Sequence, residues 1–230
     1  MKITYIHHSA FLVETDTLTL LFDYYTGAIP AIGKDRPLYV LTSHAHPDHF
    51  DRSVFRLASE HPAVRFLLSA DISRSAVPSS LLGQTVFLKP ETVWSDSLLR
   101  VETLRSNDAG CAFWCTALQD GKAIYHAGDL NNWYWDGDRS DAILADKYHR
   151  ELERLRGRRC DVAFIPVDPR LRAPQKGMLD FLGYCGADVL FPMHQWEKYG
   201  ITAQVKALPE IAGCRDRIRE ISQDGQVFDI

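Results

Sequence analysis

Four potential metal ligands stand within the six-residue segment HAHPDH, namely His44, His46, Asp48 and His49. The segment follows an apolar run over 38–41 that is typical of a buried strand. In extended backbone, side chains two residues apart point to the same side, so His44 and His46 can reach one ion. Pro47 disfavours helix at the residue before it, and the turn that it favours directs Asp48 and His49 towards a second point. Imidazoles and a carboxylate together suit zinc, iron or manganese, and the segment therefore predicts a metal site.

The pattern His-x-His-x-Asp-His after a strand resembles the signature of the metallo-β-lactamase fold superfamily. The resemblance implies an α/β fold, a four-layer αβ/βα sandwich of the metallo-β-lactamase type, with up to two metal ions at one edge of the paired sheets. It extends along the chain, because a later apolar strand ends at Asp129 and another ends at His194. In this superfamily an aspartate in the first of these places bridges the two metals, and a histidine in the second is the last ligand.

One histidine of the family pattern is missing. The superfamily usually supplies it between the first motif and the bridging aspartate, but the corresponding stretch, 105–110, contains none. The resemblance assigns two ligand sets that share one aspartate: His44, His46 and Asp129 for a first metal, and Asp48, His49, Asp129 and His194 for a second. Asn107 or Asp108 can substitute for the missing ligand. A set of two histidines and one carboxylate is also the one that non-haem iron prefers, so the number and identity of the ions stay open.

Four further residues are expected beside the metals, as hydrogen-bond partners or as walls of a substrate pocket: His8, His126, Trp133 and Asp168. The early segment His-Ser-Ala-Phe-Leu resembles the opening hairpin of the superfamily, where a histidine often lies near the metals. His126 stands three residues before Asp129, so on a strand it faces the opposite side and is a partner or a core residue. Trp133 lies in the most aromatic segment, 131–135, and Asp168 follows directly on a buried strand.

The hydrophobic pattern predicts the elements that position these residues. Strands are expected over 3–8, 10–14, 18–22, 38–42, 64–68, 161–167 and 187–193, with a meander over 86–88, 92–94, 98–104, 111–118 and 123–126. Helices are expected over 52–59, 71–76, 141–156, 175–184 and 203–211. Asp23, which ends the third strand, is expected as a structural partner below the metal-binding loop. Since sites gather at the carboxyl edge of strands, His44, Asp129 and His194 are expected to share one edge.

The bulk composition excludes several classes of protein. The 230 residues contain no Pro/Gly/Ser-rich linker, which favours a single domain over 1–230. A net charge of −4 without a basic tail does not favour nucleic acid as a partner. The five cysteines form no CxxC pair and predict reduced, mostly buried thiols in a cytoplasmic protein. No signal pattern and no membrane-length apolar run are present, so no membrane partner is expected. The expected partner is a small-molecule substrate, and the oligomeric state stays open.

The sequence therefore predicts a metal-dependent hydrolase that resembles the uncharacterised and lactonase-like branch of the superfamily. One or two divalent ions, zinc ahead of manganese or iron, would activate a water against a small ester, lactone or phosphodiester. Asp48 is the predicted catalytic residue, because its carboxylate can orient the water or pass on its proton. The missing histidine supports an alternative, a degenerate member that binds one metal or none and hydrolyses nothing. Redox chemistry on iron and nuclease activity are less favoured, because the chain lacks room for a redox domain and lacks a basic surface.

Overall fold

The structure, a computed structural model, describes residues 1–230 as thirteen strands and four α-helices joined by short 3₁₀ turns. The strands are β1 (Lys2–His7), β2 (Ala10–Glu14), β3 (Thr19–Phe22), β4 (Leu38–Thr42), β5 (Arg65–Ser69), β6 (Thr85–Leu88), β7 (Val93–Ser95), β8 (Leu99–Arg105), β9 (Cys111–Ala117), β10 (Lys122–His126), β11 (Arg159–Pro166), β12 (Gly186–Met193) and β13 (Val227–Asp229). The α-helices are α1 (Leu57–Glu60), α2 (Arg139–Glu153), α3 (Lys176–Tyr184) and α4 (Gly200–Lys206).

The strands form two mixed sheets. The first has seven strands in the order β13-β1-β2-β3-β4-β5-β6, and the second has six in the order β12-β11-β10-β9-β8-β7. In the first sheet β3 to β6 run parallel, and in the second β10 to β12 do. Parallel neighbours end at the same edge of a sheet, so the segments that follow β4, β10, β11 and β12 are brought together.

The sheets pack face to face through aromatic side chains. The ring centres of Phe11 in the first sheet and Phe164 in the second are 4.2 Å apart, and both side chains are fully buried. On the outer face of the second sheet, Tyr125 stacks on Phe181 of α3 at 4.7 Å. A separate cluster packs the 3₁₀ turn over 52–56 and α1 against the outer face of the first sheet. Helices therefore cover both outer faces, which confirms the predicted α/β sandwich.

The structure corrects the predicted meander. Its first strand, over 86–88, is β6, which belongs to the other sheet and pairs in parallel with β5. The connection includes a 3₁₀ helix over 79–84 that the sequence analysis did not predict. The pattern could not show this change of sheet, because β6 is short and half-buried and its apolar residues suit either sheet equally.

Three predicted helices are α-helical over only part of their length or not at all. The helix expected over 71–76 is a 3₁₀ turn over 74–76. The helix expected over 52–59 is a 3₁₀ turn over 52–56 continued by α1, and the helix expected over 203–211 is α4 followed by a 3₁₀ turn over 209–211. Pro209 explains the break between α4 and the 3₁₀ turn over 209–211. The residue before a proline is pushed out of helical backbone, and Leu208 is extended. None of the helices has the length and apolar character needed to cross a lipid bilayer. All five cysteines are buried and unpaired, as predicted.

Gly110 permits the close approach of the β8–β9 turn to the metal-binding loop. Its φ is +64°, and a Cβ atom there would lie 2.0 Å from the carbonyl oxygen of Ser43 and 2.6 Å from Cβ of His44. Gly121 has the same backbone, φ +65°, with open space around it. We expect Gly110→Ala to lower the free energy of unfolding by at least about 3 kcal/mol and Gly121→Ala by about 1 kcal/mol. Urea denaturation measures both, and equal losses would show that the contact with Ser43 is unimportant.

Candidate metal centre

The candidate site lies where the two sheets meet at one end of the sandwich. Strand β4 of the first sheet leads into His44, whereas β10 and β12 of the second sheet lead into Asp129 and His194. The shared edge expected from the sequence is thus formed by two sheets. His8 in the β1–β2 hairpin and His194 both have left-handed backbone, with φ of 55° and 64°, which non-glycine residues adopt rarely. These turns redirect the chain at the strand ends.

Eight side chains gather there in two groups. Within each group, the potential ligand atoms all lie within 4.8 Å of one another. One group contains His8, Asp48, His49 and His194, and the other contains His44, His46, Asp108 and Asp129. All six residues predicted as metal ligands from the sequence are present in these groups. Each group supplies histidine nitrogens and carboxylate oxygens in the proportions that suit zinc, manganese or iron.

Asp129 lies between the two groups. Its Oδ1 is 3.1 Å from Nε2 of His49 and 3.6 Å from Nε2 of His194, while its Oδ2 is 3.4 Å from Nε2 of His44. One carboxylate oxygen therefore faces each group, which is the geometry that a bridging carboxylate requires.

Asp48 is the most exposed member of the group that contains His8. Its Oδ2 is 3.6 Å from Nε2 of His8, 3.8 Å from Nε2 of His194 and 4.0 Å from Nε2 of His49. A quarter of its side chain is exposed, whereas the three histidines are almost completely buried. Asp48 is therefore the member of this group that is most accessible from outside.

Four buried polar atoms aimed into these groups make no hydrogen bond of good geometry, although two of them, Nε2 of His49 and Oδ1 of Asp129, lie 3.1 Å apart. The other two are Nε2 of His8 and Nε2 of His44. Buried polar atoms without partners are uncommon in folded proteins, because each loses its hydration without compensation. Here the unpaired atoms converge from several elements, and all can be lone-pair donors. A divalent cation in each group would satisfy them, so the residues present fit metal ions.

The opposite edges of the histidine rings are fixed by other side chains. His49 donates from Nδ1 to Asp23 at 2.8 Å, and His44 donates from Nδ1 to the Ser43 hydroxyl at 2.9 Å. Asp23, fully buried, also accepts from Ser43 N and Oγ, so it supports the loop from below as expected. Partners of this kind fix the tautomer that leaves Nε2 free to bind metal.

Asp168 has the same relation to His194. It accepts from Nδ1 of His194 at 2.9 Å, and also from Nε1 of Trp196 and from Arg170. We expect Asp168→Asn to weaken metal binding by about 10- to 100-fold, because the ring of His194 loses its charged partner. Asp180→Asn is the matched control, since Asp180 accepts from His149 in a pair outside the site. Competition with a chromophoric chelator measures both affinities, and equal effects would contradict a special role of Asp168.

Burial and charge set the protonation of these groups. Burial lowers the pKa of His8 to about 4, so its ring is neutral at pH 7 and Nε2 can donate a lone pair. Burial also opposes protonation of His49, but the carboxylates of Asp129 and Asp23 outweigh it and raise its pKa. For Asp129, burial would raise the pKa, yet the neighbouring His49 and His194 hold it well below its ordinary value. A cation bound between Asp129 and His49 would thus replace a proton.

The two candidates for the missing ligand have different positions. Asp108 belongs to the group with His44 and His46, and its Oδ2 is 3.6 Å from Nδ1 of His46. The side chain of Asn107 is occupied elsewhere: its amide nitrogen donates to the carbonyl oxygens of Asn131 and Leu144, and its Oδ1, the atom that could bind a metal, accepts from Asn131 N at 3.2 Å. These bonds anchor the side chain of Asn107 to the neighbouring loop and to α2, so the structure favours Asp108 over Asn107 as the substitute ligand.

Two histidines outside the predicted ligand sets also differ in position. His8 was expected only as a neighbour of the metals, but its Nε2 is one of the atoms of the second group. His126 is fully buried beneath the site, where its Nε2 lies 3.0 Å from the carbonyl oxygen of Ser9 and its Nδ1 accepts from Gly128 N. It therefore supports the hairpin that carries His8.

A cavity of about 360 Å³ opens above the two groups. Trp133, as predicted, lines it and donates from Nε1 to the carbonyl oxygen of Asp129 at 2.9 Å. Trp135, Trp196 and Arg170 also line it, as do Leu144 and Asn107. Trp196 and Arg170 were not predicted from the sequence as pocket residues, although both follow within three residues of strand ends predicted to reach the site. Position after such a strand was the signal that could have identified them.

Comparison with known proteins places the chain in a family. A model described as the beta-lactamase superfamily domain matches residues 2–194. Proteins named metal-dependent hydrolase from Desulforamulus reducens and Carboxydothermus hydrogenoformans are 33% and 32% identical over 209 and 208 residues, about 84% of each chain. A metallo hydrolase structure from Ignicoccus hospitalis superimposes with a TM-score of 0.65 at 18% identity, covering 100% of this chain and 98% of that one, and shares the fold.

The matched segment contains every potential ligand described above, from His8 to His194. The relatives agree with the predicted class of enzyme, a metal-dependent hydrolase, whereas the substrate remains a prediction. The chain belongs to the metallo-β-lactamase superfamily.

Proposed function

We propose that the protein hydrolyses a small ester, lactone or phosphodiester with two divalent metal ions, one held by each group of ligands. The observation that carries the proposal is the convergence of four unpaired buried atoms on the two groups, with one oxygen of Asp129 directed to each. Zinc fits the donor set, and manganese and iron fit it as well. When bound, such ions supply an activated water and polarise the oxygen that becomes negative.

The surrounding side chains have separate roles in this proposal. Asp48 belongs to the second group through Oδ2 and also lines the cavity, so its carboxylate can orient the water or take up its proton and deliver it to the leaving group. Asp23 and Asp168 hold the rings of His49 and His194 in place. Trp133, Trp135 and Trp196 form an apolar wall against which an apolar part of a substrate can pack.

The degenerate alternative loses its main support. It rested on the missing histidine, but Asp108 brings the first group to four potential ligands. A degenerate site would also have little reason to retain unpaired buried atoms, since each destabilises the fold when no metal is present.

Asp48→Ala tests the proposed reaction. We expect it to lower kcat by at least about 10²-fold on whichever of 4-nitrophenyl acetate, γ-butyrolactone and bis(4-nitrophenyl) phosphate the wild type hydrolyses, because the proton-transferring carboxylate is lost. Asp51→Ala is the control: Asp51 is exposed, caps the following 3₁₀ turn through Ser53 N, and does not line the cavity. Turnover by Asp48→Ala equal to that of Asp51→Ala, or wild-type turnover that survives complete removal of metal by a chelator, would contradict the proposal.

A further inference from the structure

Arg170 is the one arginine or lysine on the walls of the cavity. Its guanidinium lies over two indole rings, 4.4 Å from the centre of Trp196 and 5.7 Å from that of Trp135. Its Nε and Nη2 donate to the buried carboxylate of Asp168, with Nη2 at 2.6 Å. The aromatic contacts and this two-point ion pair hold the guanidinium in one orientation.

Part of the hydrogen-bonding capacity of Arg170 remains free. No hydrogen bond in the structure uses its Nη1, and 46% of its side chain is exposed. One hydrogen of Nη1 and the second hydrogen of Nη2 form a fork of the kind that binds a carboxylate or a phosphate bidentately. Because Asp168 already orients the guanidinium, little conformational entropy is lost when the fork binds an anion.

The neighbouring wall is flat and apolar. The rings of Trp133 and Trp135 are nearly parallel, with an angle of 8° and ring centres 6.0 Å apart. Both line the same cavity, whose volume of about 360 Å³ suits a small molecule. The cavity therefore offers a planar apolar surface beside a fixed cationic fork, above the two groups of potential ligands.

We propose that the substrate is a small monoanion with a flat apolar part, and that Arg170 selects it by pairing with its carboxylate or phosphate group. The inference rests on the proposed hydrolase function in one respect. The carboxylates of Asp48, Asp108 and Asp129 at the floor of the cavity would repel an anion unless bound cations neutralise them.

A second cationic groove borders the same cavity across Asp108. It is lined by Arg105, Lys147 and Arg150, among others, and contains no apolar residue. Arg105 is already paired with Glu91 at 3.6 Å. Arg154, in the same groove, lies 3.9 Å from the buried carboxylate of Glu151. No aromatic ring lines this groove, whereas Arg170 has both a buried carboxylate and two indole rings, so the geometry favours Arg170 as the selecting residue.

Binding of matched probes tests the inference without any need for turnover. 4-Nitrobenzoate and the neutral 4-nitrobenzamide differ in charge but share a flat ring, and quenching of tryptophan fluorescence reports their binding beside Trp133, Trp135 and Trp196. We expect the metal-containing protein to bind the benzoate about tenfold more tightly than the amide, the effect of one charge-assisted hydrogen-bond pair. Methyl 4-nitrophenyl phosphate, a phosphodiester with a single negative charge, is titrated in parallel and shows which of the two anions the fork prefers.

Variants identify the group responsible. Arg170→Gln is expected to reduce the preference to about twofold or less while the amide binds as before, and Arg170→Lys to keep part of it, because it retains the charge without the fork. Arg150→Gln, in the second groove, is the matched control and keeps the full preference. Equal binding of the two probes by wild type, or a preference that survives in Arg170→Gln, overturns the inference. Loss of the preference in Arg150→Gln instead assigns it to the groove and overturns it too.

The two proposals fail separately. A protein that prefers the benzoate through Arg170 yet hydrolyses none of the test substrates contradicts the proposed function and leaves the anion site in place. Hydrolysis that depends on metal and Asp48, without any preference between the probes, contradicts the anion site alone. Metal content and thermal stability of Arg170→Gln are measured alongside, because Arg170 also contacts Asp168.

Discussion

Asp129→Asn is expected to lower kcat/KM by at least about 10⁴-fold and to reduce the metal content to less than one ion per chain. The physical reason is that one carboxylate serves both groups, with Oδ1 facing His49 and His194 and Oδ2 facing His44. An amide offers one neutral oxygen and a nitrogen that carries hydrogens, so it cannot present a lone pair with negative charge to both sides. Elemental analysis and steady-state kinetics measure the two effects.

Asp146→Asn provides the control for the same chemical change. Asp146 is exposed on α2 and does not line the cavity. It should keep wild-type kinetics and metal content. If Asp129→Asn retained two ions and substantial turnover, Asp129 would not bridge, and the division of the site into two groups that share it would be wrong.

Asp108→Ala is expected to remove one ion per chain and to lower kcat/KM by about 10³-fold, because the first group falls back to two histidines and the shared aspartate. The side chains of Asp108 and His46 are about half exposed, whereas His8, His49 and His194 are buried. The first group should therefore hold its ion less tightly, and a chelator should remove this ion before the other. Titration with a chelator, followed by elemental analysis, measures the order.

Two further variants separate the candidates for the missing ligand. Asp108→His, which restores the residue type of the superfamily pattern, should retain two ions. Asn107→Ala should lower the melting temperature, because the bonds to Asn131 and Leu144 are lost, but should leave the ion count unchanged. Two ions in Asp108→Ala, or one ion in Asn107→Ala, would reverse the assignment.

The sequence predicted the fold well because its signals are local. Apolar runs followed by His or Asp mark β4, β10 and β12, and the spacing within HAHPDH is itself the ligand pattern. Strand β6 was assigned to the wrong sheet because sheet membership depends on which neighbour a strand pairs with, and that choice is made by long-range packing. The hydrophobic pattern of the four residues of β6 does not indicate which neighbouring strand β6 pairs with.

The limits at the site have the same origin. Asn107 and Asp108 are adjacent, and only the path of the β8–β9 turn, permitted by Gly110, decides which of them faces His46. His8 reaches the second group because its backbone is left-handed, a conformation that a histidine in the sequence does not predict. Arg170 and Trp196 come from two different strand ends, and their contact with each other exists only in the folded chain.

Two hydrogen bonds described above tie the walls of the pocket to its floor, from Trp133 to the backbone of Asp129 and from Trp196 to Asp168. Because of these bonds, the three tryptophan positions differ in how freely they can be substituted to change the substrate range, in evolution and in protein engineering. A substitution at Trp133 or Trp196 that widens the cavity also loosens a residue beneath it. Trp135 has no such bond and is partly exposed, so a library directed at this position could vary substrate range while the catalytic floor stays in place.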